Sequence, residues 1–115
     1  FDDVARSLQS GRIEENARKS GSLCDAIITP KPGEITFPIM HRLCGPGLVV
    51  SDAEALQAIG HAFNRLKLVA EPGGAVALAA ALFRQDEIDG DDVIVTISGG
   101  NVDSDIFSRA LATLD

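Results

Sequence analysis

EPGGAVALAAALFRQDEIDGDDVIVTISGGNVD, residues 71–103, is the stretch on which the fold turns. Pro72 suits the first position of a helix, and the spacing predicts one from about Gly74 to Arg84. That segment is apolar almost all round, which predicts burial on most faces, and its small residues let neighbouring backbones come close. Asp89-Gly90-Asp91-Asp92 reads as a turn. Val93-Ile94-Val95-Thr96-Ile97 is then a β-branched run with no polar alternation, the pattern of a parallel strand covered on both faces. Ser98-Gly99-Gly100-Asn101 ends it.

Working outward, Asp103 is placed to cap a final helix carrying Ile106, Phe107, Ala110, Leu111 and Leu114. Upstream, Ser51-Asp52-Ala53-Glu54 has the spacing of a capping box, in which the Ser51 hydroxyl and the Glu54 side chain each satisfy the other's backbone amide. The helix it opens puts Leu56, Ile59, Phe63 and Leu66 on one stripe beside Ala55, Ala58 and Ala62, and ends near Lys67. Leu48-Val49-Val50 reads as a short strand. Pro30-Lys31-Pro32-Gly33 marks a loop before a helix predicted from about Glu34 to Leu43, with Ile35, Phe37, Ile39, Met40 and Leu43 toward the core and Cys44-Gly45-Pro46-Gly47 ending it. Leu23–Thr29 is a short apolar run, and Arg12–Gly21 is polar without a period, a loop or a short solvated helix. Asp2–Gln9 places Val4, Ala5 and Leu8 at helical spacing, with Gly11 as its stop. Helices alternating with short apolar strands predict an α/β fold. Only two or three strands are legible, so the expectation is a partial doubly wound domain, helices flanking a few mostly parallel strands. With 115 residues, no repeats and no long linker, residues 1–115 read as a single fragment.

Ten basic and seventeen acidic side chains give a net charge of −7, which argues against nucleic-acid and anionic-membrane partners. No apolar run approaches the ~20 residues of a membrane helix. Cys24 and Cys44, twenty apart and without CxxC spacing, read as buried thiols of a reduced cytoplasm rather than zinc ligands. The chain begins at Phe1 and its one methionine is Met40, so it reads as part of something longer.

Two places could carry chemistry. Ligands of an open α/β sheet bind outside the carboxyl ends of the strands, where Ser98-Gly99-Gly100-Asn101 falls. Its glycines let a ligand approach the backbone, yet a tight strand-to-helix turn needs the same residues. Glu71 stands before a helix N-terminus, and a dipole-complementing cap explains it as well as a ligand contact does.

Taken in order, PGEITFPIMHRL, the VV strand, SDAEALQAIGHAFNRLKLV, EPGGA and SGGN resemble the C-terminal part of the fold-type II pyridoxal-phosphate enzymes, in particular the threonine/serine dehydratase (ammonia-lyase) and serine racemase branch. The resemblance covers essentially the whole chain and implies the C-terminal part of the cofactor-binding large domain, with no regulatory domain appended. It implies that Ser98 hydrogen-bonds the pyridine nitrogen of pyridoxal 5′-phosphate, that Gly99 and Gly100 bring backbone against the ring edge, and that Glu71 lies near the ring with no assigned acid or base role. Asn101 would shape the turn. It further implies an incomplete Mg²⁺ or Ca²⁺ site from the Phe1 carbonyl and the Asp3 carboxylate; acidic residues starting a helix explain Asp2 and Asp3 equally well.

The family's Schiff-base lysine and phosphate-cradling glycine loop have no counterpart here, and Lys19, Lys31 and Lys67 read as surface residues. The expectation is therefore a cytoplasmic, homo-oligomeric L-threonine/L-serine dehydratase, acting on a small amino acid by β-elimination to a 2-oxo acid and ammonia. This piece alone would be inactive and hold no cofactor. Alternatives are a serine racemase-like or other hydroxyamino-acid enzyme, or a non-catalytic module that oligomerises or binds a partner. A nucleotide-binding domain has no GxGxxG or Walker pattern behind it.

Overall fold

A computed structural model describes residues 1–114. They group into two compact units, the first built from residues 1–22 and 27–49, the second from 23–26 and 50 onward.

In the first unit, α1 (Asp3–Ser10) is stopped by Gly11, whose φ of 76° lies in the left-handed region and whose N–H bonds the Ser7 carbonyl at 2.9 Å. Its inward residues are Asp3 and Ser7, both buried, whereas Val4 is 39% exposed. Of the apolar residues at helical spacing Val4 is exposed and Ala5 and Leu8 are half-buried, so the fully buried positions of α1 belong to a polar network. The Ser7 hydroxyl accepts from the Glu14 amide at 2.8 Å, and the Asn16 side-chain amide donates to Asp3 Oδ1 at 2.7 Å and to the Thr29 carbonyl at 2.9 Å. Asn16 also accepts from Arg6 and donates its own N–H to Pro30. Residues 12–21 form no helix; hydrogen bonds to this loop replace hydrophobic periodicity, which is why no period is visible there.

The helix predicted from Glu34 begins three residues later, as α2 (Phe37–Leu43), with Pro38 in its first turn. Only Phe37 of its expected core set is buried; Ile35, Ile39 and Leu43 are 85%, 51% and 70% exposed. Residues four apart share one helix face, so Ile39 and Leu43 point away from the side on which Phe37 stacks at 5.7 Å against His41. Cys44, expected buried, is exposed in the extended segment after α2, while Cys24 is buried and neither forms a disulfide.

The apolar core lies in the second unit. α3 (Asp52–His61) opens with the predicted capping box: Ser51 Oγ accepts from the Glu54 N–H at 3.2 Å, and Glu54 Oε2 accepts from the Ser51 N–H at 2.7 Å. One wider π-helical turn, Ala62–Leu66, extends it to Lys67, where φ is 59°. Ala55, Leu56, Ala58 and Ile59 are buried as expected; burying a side chain like Ile59 contributes roughly 1.5–3 kcal/mol. Leu66, the last residue of the expected stripe, is 58% exposed, because the wider turn rotates it off the buried face. A single 3₁₀ turn, Gly73–Ala75, leads into α4 (Val76–Phe83), and α5 (Ser104–Ala112) follows. α4 buries Ala79 fully and the rest partly, so the burial expected on most faces is only half-burial here. Gly60 lets α3 meet α5 closely, since a Cβ there would lie 2.8 Å from the Ala110 carbonyl. Phe63 and Phe107 pack edge to face at 5.3 Å. Asp103 occupies the N-cap of α5 but makes no side-chain cap bond.

The two expected strands are not formed: no β-strand occurs among the described residues. Along 94–97 burial alternates, with Val95 and Ile97 half-buried but Ile94 98% exposed, so one face is covered and the other is not. A strand is defined by its ladder, and neither 48–50 nor 93–97 has a neighbouring strand among the described residues.

Arg84, at the C-terminus of α4, grips Glu54 with a two-pronged contact, Nη1–Oε1 2.6 Å and Nη2–Oε2 2.9 Å. That guanidinium, then the Ser51 N–H, hold the Glu54 carboxyl down at about 2 against an ordinary 4.5. A depressed folded-state pKa contributes stability that is fully present above 4.5 and lost as pH falls toward 2. The urea midpoint is expected to fall across that window, and Arg84→Met to flatten the fall; an unaltered acid limb in that variant would contradict the pairing.

Candidate functional site

The second unit brings Glu71 and Ser98-Gly99-Gly100-Asn101 together, thirty residues apart in sequence, in one clasp. The Glu71 N–H donates to the Gly99 carbonyl at 3.0 Å, and the Ser98 N–H donates to the Gly74 carbonyl at 3.3 Å. Glu71 Oε2 accepts from the Asn101 N–H at 3.0 Å. The turns approach so closely that a Cβ on Gly74 would lie 2.5 Å from the Gly99 oxygen, and one on Gly100 2.6 Å from the Val69 oxygen. A Cβ on Gly99 would meet the Glu71 carboxylate at 2.8 Å. At Gly74 and Gly100 a side chain is excluded because two backbones touch there, whereas at Gly99 it is the end of the Glu71 side chain that is close. None of the three has positive φ, so turn dihedrals do not explain them.

Glu71 is thus more than a helix-dipole cap. Its carboxylate is a backbone acceptor on the neighbouring turn, a use that motif reading missed because an amide hydrogen has no sequence letter. Beside the clasp, a cavity of about 270 Å³ is lined by Glu71, Pro72, Asn101, Asp103, Leu23 and Asp25 among others. Ser98 is exposed, and no hydrogen bond among the described residues engages its hydroxyl. Such a hydroxyl can donate to or accept from a heteroaromatic ring nitrogen, so the residues present fit one edge of a pyridine ring.

The second candidate sits in the first unit. Asp3 is 4% exposed; Oδ1 is held by Asn16, and Oδ2 is buried with no hydrogen-bond partner. Phe1 lies two residues before it, its ring 5.8 Å beneath the Arg18 guanidinium. No group of three or more His, Cys, Asp or Glu gathers as a metal cluster among the described residues. Lys19, Lys31 and Lys67 are exposed as expected; Lys67 donates to the Asn64 carbonyl and Lys31 lies 3.8 Å from Glu34.

Residues 1–100 match the family model described as pyridoxal-phosphate dependent enzyme. The chain belongs to that family. Serine racemase of Dictyostelium discoideum is 36% identical over 113 residues, 96% of this chain and 35% of that protein. L-threonine ammonia-lyase of Thermotoga maritima is 36% identical over 105 residues, 91% of this chain and 26% of that protein. The crystal structure of a threonine deaminase from T.th. superposes with a TM-score of 0.82 at 37% identity, covering 89% of this chain and 34% of that one. The likeness places the chain in the α/β class of fold-type II enzymes, although the sheet is not formed among the residues described. The chain spans about a third or less of the length of these relatives. Pyridoxal phosphate is the cofactor that defines the family.

Proposed function

We propose that this chain is the C-terminal part of the cofactor-binding domain of a pyridoxal-phosphate enzyme that eliminates water from L-threonine or L-serine, the resulting enamine then taking up water to give a 2-oxo acid and ammonia. The observation that carries the reading is the clasp, which holds an unengaged Ser98 hydroxyl on a backbone pinned at Gly74, Gly99 and Asn101. Bound pyridoxal phosphate supplies an electron sink for the carbanion left when a substrate's α-proton is removed. Ser98 holds the ring nitrogen with a hydroxyl. Unlike a carboxylate, a hydroxyl does not enforce protonation of that nitrogen, so the sink is mild, which suits a reaction whose departing hydroxide relieves the carbanion. Gly99 and Gly100 would bring backbone against the ring's edge.

Lys19, Lys31 and Lys67 stand in no segment like the family's Schiff-base lysine, so the 115 residues alone are expected to be inactive. The test uses the full-length natural protein, loaded with cofactor and offered L-threonine and L-serine, with 2-oxo acid and the enantiomers of serine both measured. Oxo acid release supports the dehydratase reading. Conversion to D-serine without it favours a racemase, and neither product favours a non-catalytic module.

We propose in addition that Asp3 and the Phe1 carbonyl contribute to a divalent-cation site, because Asp3 Oδ2 is a buried, unpartnered carboxylate oxygen and hard oxygen ligands suit Mg²⁺ or Ca²⁺. A cation at a hundred times its Kd stabilises by about 2.7 kcal/mol. The full-length protein is expected to gain thermal stability with Mg²⁺ or Ca²⁺, and Asp3→Asn to abolish the gain; equal gains in both proteins would remove the site. A homo-oligomer belongs to the same reading, motivated by the exposed Ile35, Ile39 and Leu43, and size-exclusion chromatography of the full-length protein decides it.

A further inference from the structure

We infer that Glu71 is a positioning residue for Ser98, acting through the reach of its side chain rather than through charge or proton transfer. This rests on the reading of Ser98 as the hydroxyl that meets the cofactor ring.

Glu71 binds the Ser98 turn twice. Its backbone N–H reaches the Gly99 carbonyl, one residue after Ser98, and its Oε2 receives the Asn101 N–H, three residues after it. The carboxylate also fills the space a side chain at Gly99 would take, with Cδ and Oε1 each 2.8 Å from where a Cβ would stand. Gly100 lies close against the Val69 carbonyl, and the Ser98 N–H is bonded to the Gly74 carbonyl. The peptide units that follow Ser98 are therefore fixed by Glu71 and its neighbours. Ser98 has no side-chain partner among the described residues, so the direction of its Cα–Cβ bond is what this backbone sets.

Among the described residues no lysine or arginine pairs with Glu71, so its charge serves no ion pair; the salt bridges of this unit belong to Arg84. What the geometry uses is an acceptor oxygen at the correct distance. Removing one methylene withdraws that oxygen by about 1.5 Å, beyond hydrogen-bond range of Asn101. Replacing the carboxylate by an amide of equal length keeps an oxygen in place.

The experiment compares Glu71→Asp, Glu71→Gln and Glu71→Ala in the full-length natural protein, each with and without Ser98→Ala. The first readout is hydrogen exchange of the Asn101 amide in protein stripped of cofactor. Asp and Ala are expected to speed it by about tenfold or more, and Gln by no more than about threefold. The second is kcat of the loaded protein. Asp and Ala are expected to lower kcat when Ser98 is present and to add no further loss when it is alanine, with KM little changed throughout. Unchanged exchange in the Asp and Ala proteins overturns the inference. So does a normal Asp protein beside a damaged Gln protein, which would point to charge, and so do losses that simply add to that of Ser98→Ala. The Asp and Gln pair decides the question even if Glu71→Ala does not fold. Should Ser98→Ala by itself leave kcat unchanged, the reading of Ser98 fails, and the exchange data still report separately on the clasp.

Discussion

Ser98→Ala in the full-length protein is expected to lower kcat by about a hundredfold, the scale of losing one preorganised hydrogen-bond partner where charge develops. The structure gives the reason for a large effect from one oxygen. The hydroxyl is exposed, engaged by no other group among the described residues, and carried on a turn fixed through Gly74, Gly99 and Asn101. A hydroxyl carried on this backbone and meeting the ring nitrogen would stabilise charge developing there with little reorganisation, so its removal would be felt in kcat more than in KM. Because Ser98 makes no internal bond, the substitution should leave thermal unfolding of the cofactor-free protein within ~0.5 kcal/mol, the usual range for a surface change. Steady-state kinetics beside a cofactor-free melting curve make the check. Normal turnover would remove Ser98 from the site, and a large fall in stability would make its role structural.

Gly74→Ala should do the opposite, harming the fold first and the site through it. An alanine in place of glycine ordinarily stabilises by ~0.4–1 kcal/mol through the unfolded chain. Here the added methyl would stand 2.5 Å from the Gly99 oxygen and 2.7 Å from the Gly99 nitrogen, both backbone atoms that cannot rotate aside. Overpacking of this kind costs roughly 1–3 kcal/mol, so the clash outweighs the entropic gain. To relieve it the two turns must part, stretching the Ser98–Gly74 and Glu71–Gly99 bonds together. The expected result is a lower melting temperature and cofactor lost on gel filtration, read from its absorbance. Gly45→Ala is the control, because a Cβ there meets nothing within 4 Å. Equal melting temperatures for both variants would mean that the turns are not in contact.

Where the sequence was legible, a local rule carried the signal. The Ser51–Glu54 capping box, the Leu56/Ile59 stripe, the Gly11 stop and the EPGG/SGGN pair all appear where they were read. Each depends on residues within a few positions of one another, or on a motif distinctive enough to point to a family. Legibility ended where a partner had to be supplied from far along the chain. Val93–Ile97 has every local mark of a strand, yet a strand is a relation between two segments. Asn16 lies in a stretch with no period, and only the burial of Asp3 reveals it as a hub. Ile35, Ile39 and Leu43 are apolar but exposed; hydrophobic character alone does not say which face of α2 is covered. The site followed the same division, its residue types legible in the motifs and the Glu71–Asn101 bond hidden because its donor is a main-chain amide.

The clasp also has a meaning for biosynthesis. A chain is made from its N-terminus, at ~5–20 residues per second. When Glu71 is joined to the chain the amide it will bind does not yet exist, and thirty further residues must be added before Asn101 can reach it. The Glu54–Arg84 fork spans thirty residues too and closes first, since Arg84 precedes Asn101 in the chain. α3 and α4 can therefore be tied together while the Ser98 turn is still unmade. The Ser98 turn thus gains its shape after α3 and α4 can already be joined, so no nascent chain presents Ser98 in its final setting before the packing of those helices has had time to form.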